Sequence, residues 1–311
     1  MSGVHNKFAK GGAVLAAALS FWSSIAAAKE EPLILQPSSK WHLDFADDSC
    51  RLARQFGEGR EKTMFFIERY EPGDPFFLLV AGKQFDFRDR RSETARFGPG
   101  GYERSGPIVA GELGEFKPAM MLSNMRLLPD PDEQTGEGES DEFDAEAIAS
   151  DTDVLGQQVT PEQERGISWF EIDRGGRKAV RLMLGEMGEP MVAMRGCTDE
   201  LLTHWGIDVD AHRGLTRAVA PKSDYTRWVR SNDYPRNLMR RGAQGLVQFR
   251  LSVGPDGKPT QCHVQRSSRP EGFDMAVCEA LMRRAEFEPA LDASGQPIAS
   301  YWRNGVYFRM P

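Results

Sequence analysis

Alternating apolar and polar positions dominate the first two thirds of the chain. Trp41, Leu43 and Phe45 fall on one face and His42 and Asp44 on the other, which predicts a half-buried strand ending at Asp47-Asp48. Similar runs at 63–70 and 75–81 flank the turn signal Glu71-Pro72-Gly73-Asp74, and Phe85 and Phe87 continue the alternation. Further strands are predicted at 119–128 and 167–172, and at 177–184 after Gly175-Gly176. The period then changes. Pro190 fits the first turn of a helix whose apolar stripe is Met191, Met194, Leu201 and Leu202.

Beyond a polar stretch at 209–224, read as a linker holding Pro221, the pattern becomes mixed. Pro235 opens a short helix over 236–241, closed by Gly242. Val247, Phe249, Leu251 and Val253 form the buried face of a strand over 245–253, and Pro255-Asp256-Gly257 turns the chain. A return strand over 260–266 puts Cys262 and Val264 on the core side and His263 on the solvent side. A helix over 273–285 buries Val277, Cys278, Leu281 and Ala285, and a final β segment runs from 300 to 310. The fold class is α+β: a β-rich domain at 29–208, then a small module at 225–311 with a three-stranded antiparallel sheet and two helices.

Two segments stand outside this pattern. Residues 1–28 combine a weakly basic start, an apolar run from Gly11 and the small-residue site Ala26-Ala27-Ala28, the make-up of a cleaved secretory signal. The competing reading is a retained membrane anchor, for which the run sits at the short limit. Residues 129–153 carry many carboxylates and no lysine or arginine, as a solvated acidic loop does.

Export changes how the cysteines read. Cys50, Cys197, Cys262 and Cys278 allow three pairings, or four free thiols. Pairing within domains gives Cys50–Cys197 and Cys262–Cys278, and an oxidising compartment favours bridges. The formal net charge of -7 argues against a nucleic-acid partner, although basic residues outnumber acidic ones from Lys222 onward.

Candidate chemistry is sparse. The five histidines show no metal-ligand spacing, and no Gly-x-Ser-x-Gly elbow or phosphate loop occurs. Gly98-Pro99-Gly100-Gly101 reads as a turn. The expectation is a non-enzyme without cofactor or metal.

Recognition takes over where chemistry stops. Tyr234-Pro235, Gly245-Leu246-Val247, Asp256-Gly257, Ser267-Ser268, Phe273-Asp274, Phe287-Glu288-Pro289-Ala290 and Gly295-x-Pro297 occur in order. In that order and spacing they make residues 222–311 resemble the TonB C-terminal family, one branch of which carries a cysteine pair like Cys262 and Cys278. The resemblance implies a periplasmic protein of a Gram-negative cell envelope. It also implies that an extended peptide from an outer-membrane receptor, or another envelope partner, binds along the last strand, with a link to transport across the outer membrane. Residues 11–28 hold no histidine and 209–224 is short and not proline-rich, so the motor-coupling parts of the family's energy transducers have no counterpart here. The alternative is a structural or dimerising envelope protein, and a homodimer stays open.

The predicted binding edge is Trp302, Arg303, Asn304, Gly305, Val306, Tyr307, Phe308 and Arg309. Trp302, Val306 and Phe308 are expected to face the core beside Phe249 and Leu251. Arg303, Tyr307 and Arg309 are expected to face outward, where an acidic peptide residue would fit. Asn304-Gly305 is a frequent hairpin dipeptide; with so little chain after it, a bulge is the preferred reading.

Overall fold

Two β-sheets share one core in the first part of the chain. In the computed structural model, residues 3, 30–85, 94–105, 109–129, 159–173, 178–267 and 271–310 are described. Nearly all of the expected signal and of the acidic stretch, together with Phe87 and Ser268, lie outside them. A six-stranded antiparallel sheet runs in the order His42–Phe45, Cys50–Phe56, Thr63–Arg69, Phe76–Ala81, Phe116–Met125, Val109–Leu113. A five-stranded sheet is built on Trp169–Asp173, flanked by Thr94–Gly98 and Val180–Met183, with Leu33–Leu35 added in parallel to the latter.

The reason they stack is visible in the strands. Phe65, Ile67, Leu78 and Val80 of the first sheet and Phe97, Phe170 and Leu182 of the second are almost fully buried in one cluster. Ring centroids of Phe65 and Phe170 are 5.4 Å apart and those of Phe97 and Phe170 4.9 Å, within the range of favourable aromatic pairs. The runs at 63–69 and 76–81 look continuously apolar because both of their faces are covered. Phe66, Leu79 and Ala81 form a second small cluster with Ala119 on the opposite face.

The helix Gly188–His204 closes this core with Met191, Met194, Cys197 and Leu201. Cys197 is bridged to Cys50, with Cα atoms 6.0 Å apart. The helix starts two residues before Pro190, which still lies in its first turn, where a missing N–H costs nothing. Lys83–Phe85 is a 3-10 turn rather than a continuing strand, although Phe85 is buried as the alternation required.

The stretch read as a linker is ordered and packed. Asp208 caps a short helix, Val209–Arg213, through its carboxylate and two backbone N–H groups. Leu215 and Val219 enter the core of the C-terminal module, and Ala220–Pro221 pairs with Phe287–Glu288. Two apolar residues four apart are too short a signal to reveal this. Residues 32–311 consequently form one compact unit, with separate core clusters before and after this segment.

In the C-terminal module Gly245–Val253 is the central strand, with Pro259–Ser267 on one side and Ser300–Phe308 on the other, both antiparallel. Helix Gly272–Arg284 packs Phe273, Val277 and Leu281 on the inner face. The first helix is only Arg236–Met239, and Pro235 is its N-cap rather than its first residue. Cys262 and Cys278 are bridged, with Cα atoms 5.5 Å apart and a sequence separation of 16. Closing a loop of that length is worth about 3 kcal/mol in the chain-entropy model. Cys278→Ser should therefore lower stability to urea by about that amount; an unchanged unfolding midpoint would contradict it.

Candidate functional site

Among the described residues, the final strand, Ser300–Phe308, pairs within its sheet with Gly245–Val253 and stands at the rim of that sheet. Its inner face is anchored by aromatics. The Trp302 ring lies 5.3–5.8 Å from those of Phe287, Trp228, Tyr225 and Phe249. Phe308 stacks on Phe273 at 4.4 Å and meets Tyr234 edge-on at 5.2 Å. Trp302 and Phe308 are buried and Val306 is half-buried against the same core.

The register differs from the sequence reading. Trp302 lies opposite Leu251, Asn304 opposite Phe249, Val306 opposite Val247 and Phe308 opposite Gly245. Asn304 therefore shares the core face and is buried, with its side-chain oxygen accepting from the Gly305 N–H at 2.6 Å. The ladder with Gly245–Val253 runs through Asn304 and Gly305 unbroken, so neither a hairpin nor a bulge forms there in that pairing. Nine consecutive cross-strand pairs outweigh the local turn preference of the dipeptide. The irregularities sit instead in the pairing with Pro259–Ser267, at Gln248/Phe249 and Ser252/Val253.

The outer face of this sheet does not meet solvent as expected. It lies against the β-rich domain along a polar, arginine-rich seam. Arg303 donates to the side-chain oxygen of Gln265 at 2.7 Å, pairs with Glu71 and sits 5.1 Å from the Tyr70 ring centre. The acidic partner assigned to an incoming peptide is thus supplied by Glu71 of the same chain. Arg250 is buried over the Trp205 ring at 3.8 Å, and desolvation pulls its pKa down to about 10. Arg266 lies over Phe77 at 4.7 Å. His263, placed on the solvent side by alternation, is half-exposed and holds the Asp48 carboxylate at 2.7 Å.

At the start of the strand, Tyr301 is buried beside Trp205, and its ring stacks on His212 at 5.4 Å. Burial first, then the neighbouring Glu71 carboxylate, hold the Tyr301 hydroxyl well above its ordinary pKa. The His212 Nε2 and the Ser300 hydroxyl are 3.1 Å apart, and burial lowers the histidine to a pKa of about 4. Sequence reasoning left His212 in a linker and His263 in water. The only sequence signal for the seam is the cluster of arginines on the polar positions of the three strands, which alternation alone assigns to solvent. At the other end Tyr307, Arg309 and Met310 are exposed, and Arg309 lies beyond the last paired residue.

A mixed sheet-and-helix module with its last strand at a rim can be compared with known families. The profile of the Gram-negative bacterial TonB protein C-terminal family matches residues 230–310. Those residues are similar to that family's C-terminal domain. Within this stretch lie the helix after Tyr234-Pro235, the three strands and the bridged helix. The chain is also similar to Protein tonB2 of Pseudomonas aeruginosa, 41% identical over 58 residues. That similarity covers 19% of this chain and about a fifth, 21%, of the relative. The TonB C-terminal match begins after His212 and ends before Pro311, so the β-rich domain and the segment that joins it lie outside the matched residues. Among the described residues, no helix is long and apolar enough to cross a membrane, and no three His, Cys, Asp or Glu side chains gather as metal ligands.

Proposed function

We propose that the TonB C-terminal domain of this envelope protein binds an extended peptide, from an outer-membrane receptor or another periplasmic partner, by strand addition. The peptide pairs with the Ser300–Phe308 rim. The observation that carries this reading is a nine-residue strand bonded on one side of its sheet and locked by Trp302 and Phe308 on its inner face. A rigid strand with one edge to pair offers main-chain hydrogen bonds at little ordering cost. Selectivity then rests on the end of the strand, Val306 to Met310, because Arg303 is engaged by Glu71 and Gln265. The domain acts by binding rather than catalysis, and the family match supports a link to transport across the outer membrane.

Titration of the isotope-labelled full chain with candidate receptor peptides tests this directly. Amide signals of residues 301–309 should shift together and saturate, while those of the Pro259–Ser267 edge stay in place. Saturable binding that leaves residues 301–309 unperturbed would sink the strand-addition reading. A complete lack of peptide binding would leave the module a structural part of the envelope.

A further inference from the structure

Among the described residues, two buried guanidinium groups, those of Arg250 and Arg69, have no carboxylate within ion-pair distance. Arg250 is stacked on Trp205 and closed in by the seam. Arg69 is different, because it lines a cleft of about 200 Å³ together with Asp74, Val159, Arg195, Asp199, His212 and Arg213. The volume is several times the roughly 30 Å³ share of one water molecule in the liquid.

The charges around this cleft are unevenly settled. Both terminal nitrogens of Arg195 bind the buried Glu164 carboxylate, at 2.7 and 2.8 Å. Arg213 is held by Asp199 and, at 3.2 Å, by Asp210. One Asp74 oxygen accepts the Val159 N–H at 3.3 Å. Arg69 is 3% exposed; one terminal nitrogen donates to the Asp74 carbonyl at 2.9 Å, and its Nε has no hydrogen-bond partner. Desolvation brings its pKa down to about 10, against the pull of Asp74 and Glu164. His212 adds no charge near neutral pH, because burial keeps it unprotonated until about pH 4.

A desolvated cation that lines a cleft, with no carboxylate in ion-pair contact, is costly unless an anion completes it. Planar guanidinium matches planar carboxylate, and the Asp74 and Asp199 carboxylates on the walls disfavour a multiply charged anion. We propose that this cleft is a binding site for a single carboxylate group, anchored by the Arg69 guanidinium. The carboxylate comes either from a small monocarboxylic acid or from a peptide terminus or acidic side chain. Because the His212 wall of the cleft also holds Ser300 and Tyr301, its occupant would sit next to the start of the final strand. The site stands whether or not strand addition occurs.

The test uses the full chain at constant ionic strength, with the arginine Nε–H signals observed by NMR. Propionate, and a short peptide with a free terminal carboxylate beside its amidated twin, are the probes. Millimolar propionate should shift the Arg69 Nε–H signal saturably if the source is a small acid. A shift with the free-acid peptide, but with neither its amide nor propionate, would place the source in a peptide. Chloride and inorganic phosphate should bind at least tenfold more weakly. Arg69→Leu should abolish the thermal stabilisation that the bound probe gives. If that variant does not fold, Val159→Trp, which fills the half-buried rim, should weaken binding at least tenfold. The proposal is overturned if no probe shifts the Arg69 signal. It is equally overturned if chloride shifts it as well as propionate, or if Val159→Trp folds and binds with unchanged affinity.

Discussion

Proline placed at Val306 and at Tyr307 should give two opposite phenotypes. Neighbouring residues of a strand direct their N–H groups to opposite sides, so one of these two donates into Gly245–Val253 and the other toward the rim. Proline removes that donor and fixes φ. Where the donor belongs to the internal ladder, opposite Val247 or Leu246, the substitution breaks the pairing that carries Phe308 into its stack with Phe273. The C-terminal domain should then lose its cooperative transition. Where the donor faces the rim, proline is tolerated by the fold, as on natural edge strands, and peptide binding should fall below detection. Circular dichroism and peptide titration on both variants separate the outcomes. Two folded variants that bind at wild-type affinity would move the site away from this strand.

The second large effect is a loss of stability in mild acid traced to His212. In the unfolded chain its imidazole takes up a proton near pH 6.5, whereas in the folded protein burial delays this to about pH 4. Below about pH 6.5 the unfolded state therefore binds more protons, and stability must fall as pH falls. The contribution is complete above the unfolded value and is lost as pH drops toward about 4. Two and a half units correspond to about 3 kcal/mol by the conversion of 1.36 kcal/mol per unit. The Asp199 carboxylate opposes the shift, and burial outweighs it. His212→Gln can still reach the Ser300 hydroxyl, so it should be somewhat less stable at pH 7 and show a flatter profile between pH 6.5 and 4. Carboxylates titrating in the same window are common to both proteins and cancel in the difference. Parallel profiles for the two proteins would show that His212 stays exposed to protons in the fold.

These expectations divide by how much of their basis lies along the chain. Alternation over 245–253 placed Val247, Phe249, Leu251 and Val253 correctly on the buried face, because a period of two is a local property of an extended backbone, whereas Phe45, assigned to the buried face with Trp41 and Leu43, is exposed. The apolar stripe of Met191, Met194 and Leu201 did the same for a helix. The division of the cysteines between the two halves of the chain gave the bridges Cys50–Cys197 and Cys262–Cys278. The ordered motifs from Tyr234-Pro235 to Gly295-x-Pro297 were enough to mark the C-terminal family.

What the sequence could not hold is which face of the second sheet stays wet. Alternation says that Arg250, His263 and Arg303 oppose the core, but opposing one core is compatible with lying against another domain. Only the packing of the chain's two halves turns those positions into a seam with Asp48, Glu71 and Trp205. The same packing buries His212 within a stretch too short to show a period, and it closes Arg69 into a cleft whose walls come from residues far apart in sequence. Local rules determine which way each side chain points; tertiary contacts decide what it meets, and it is the meeting that shifts a pKa or leaves a charge unpaired.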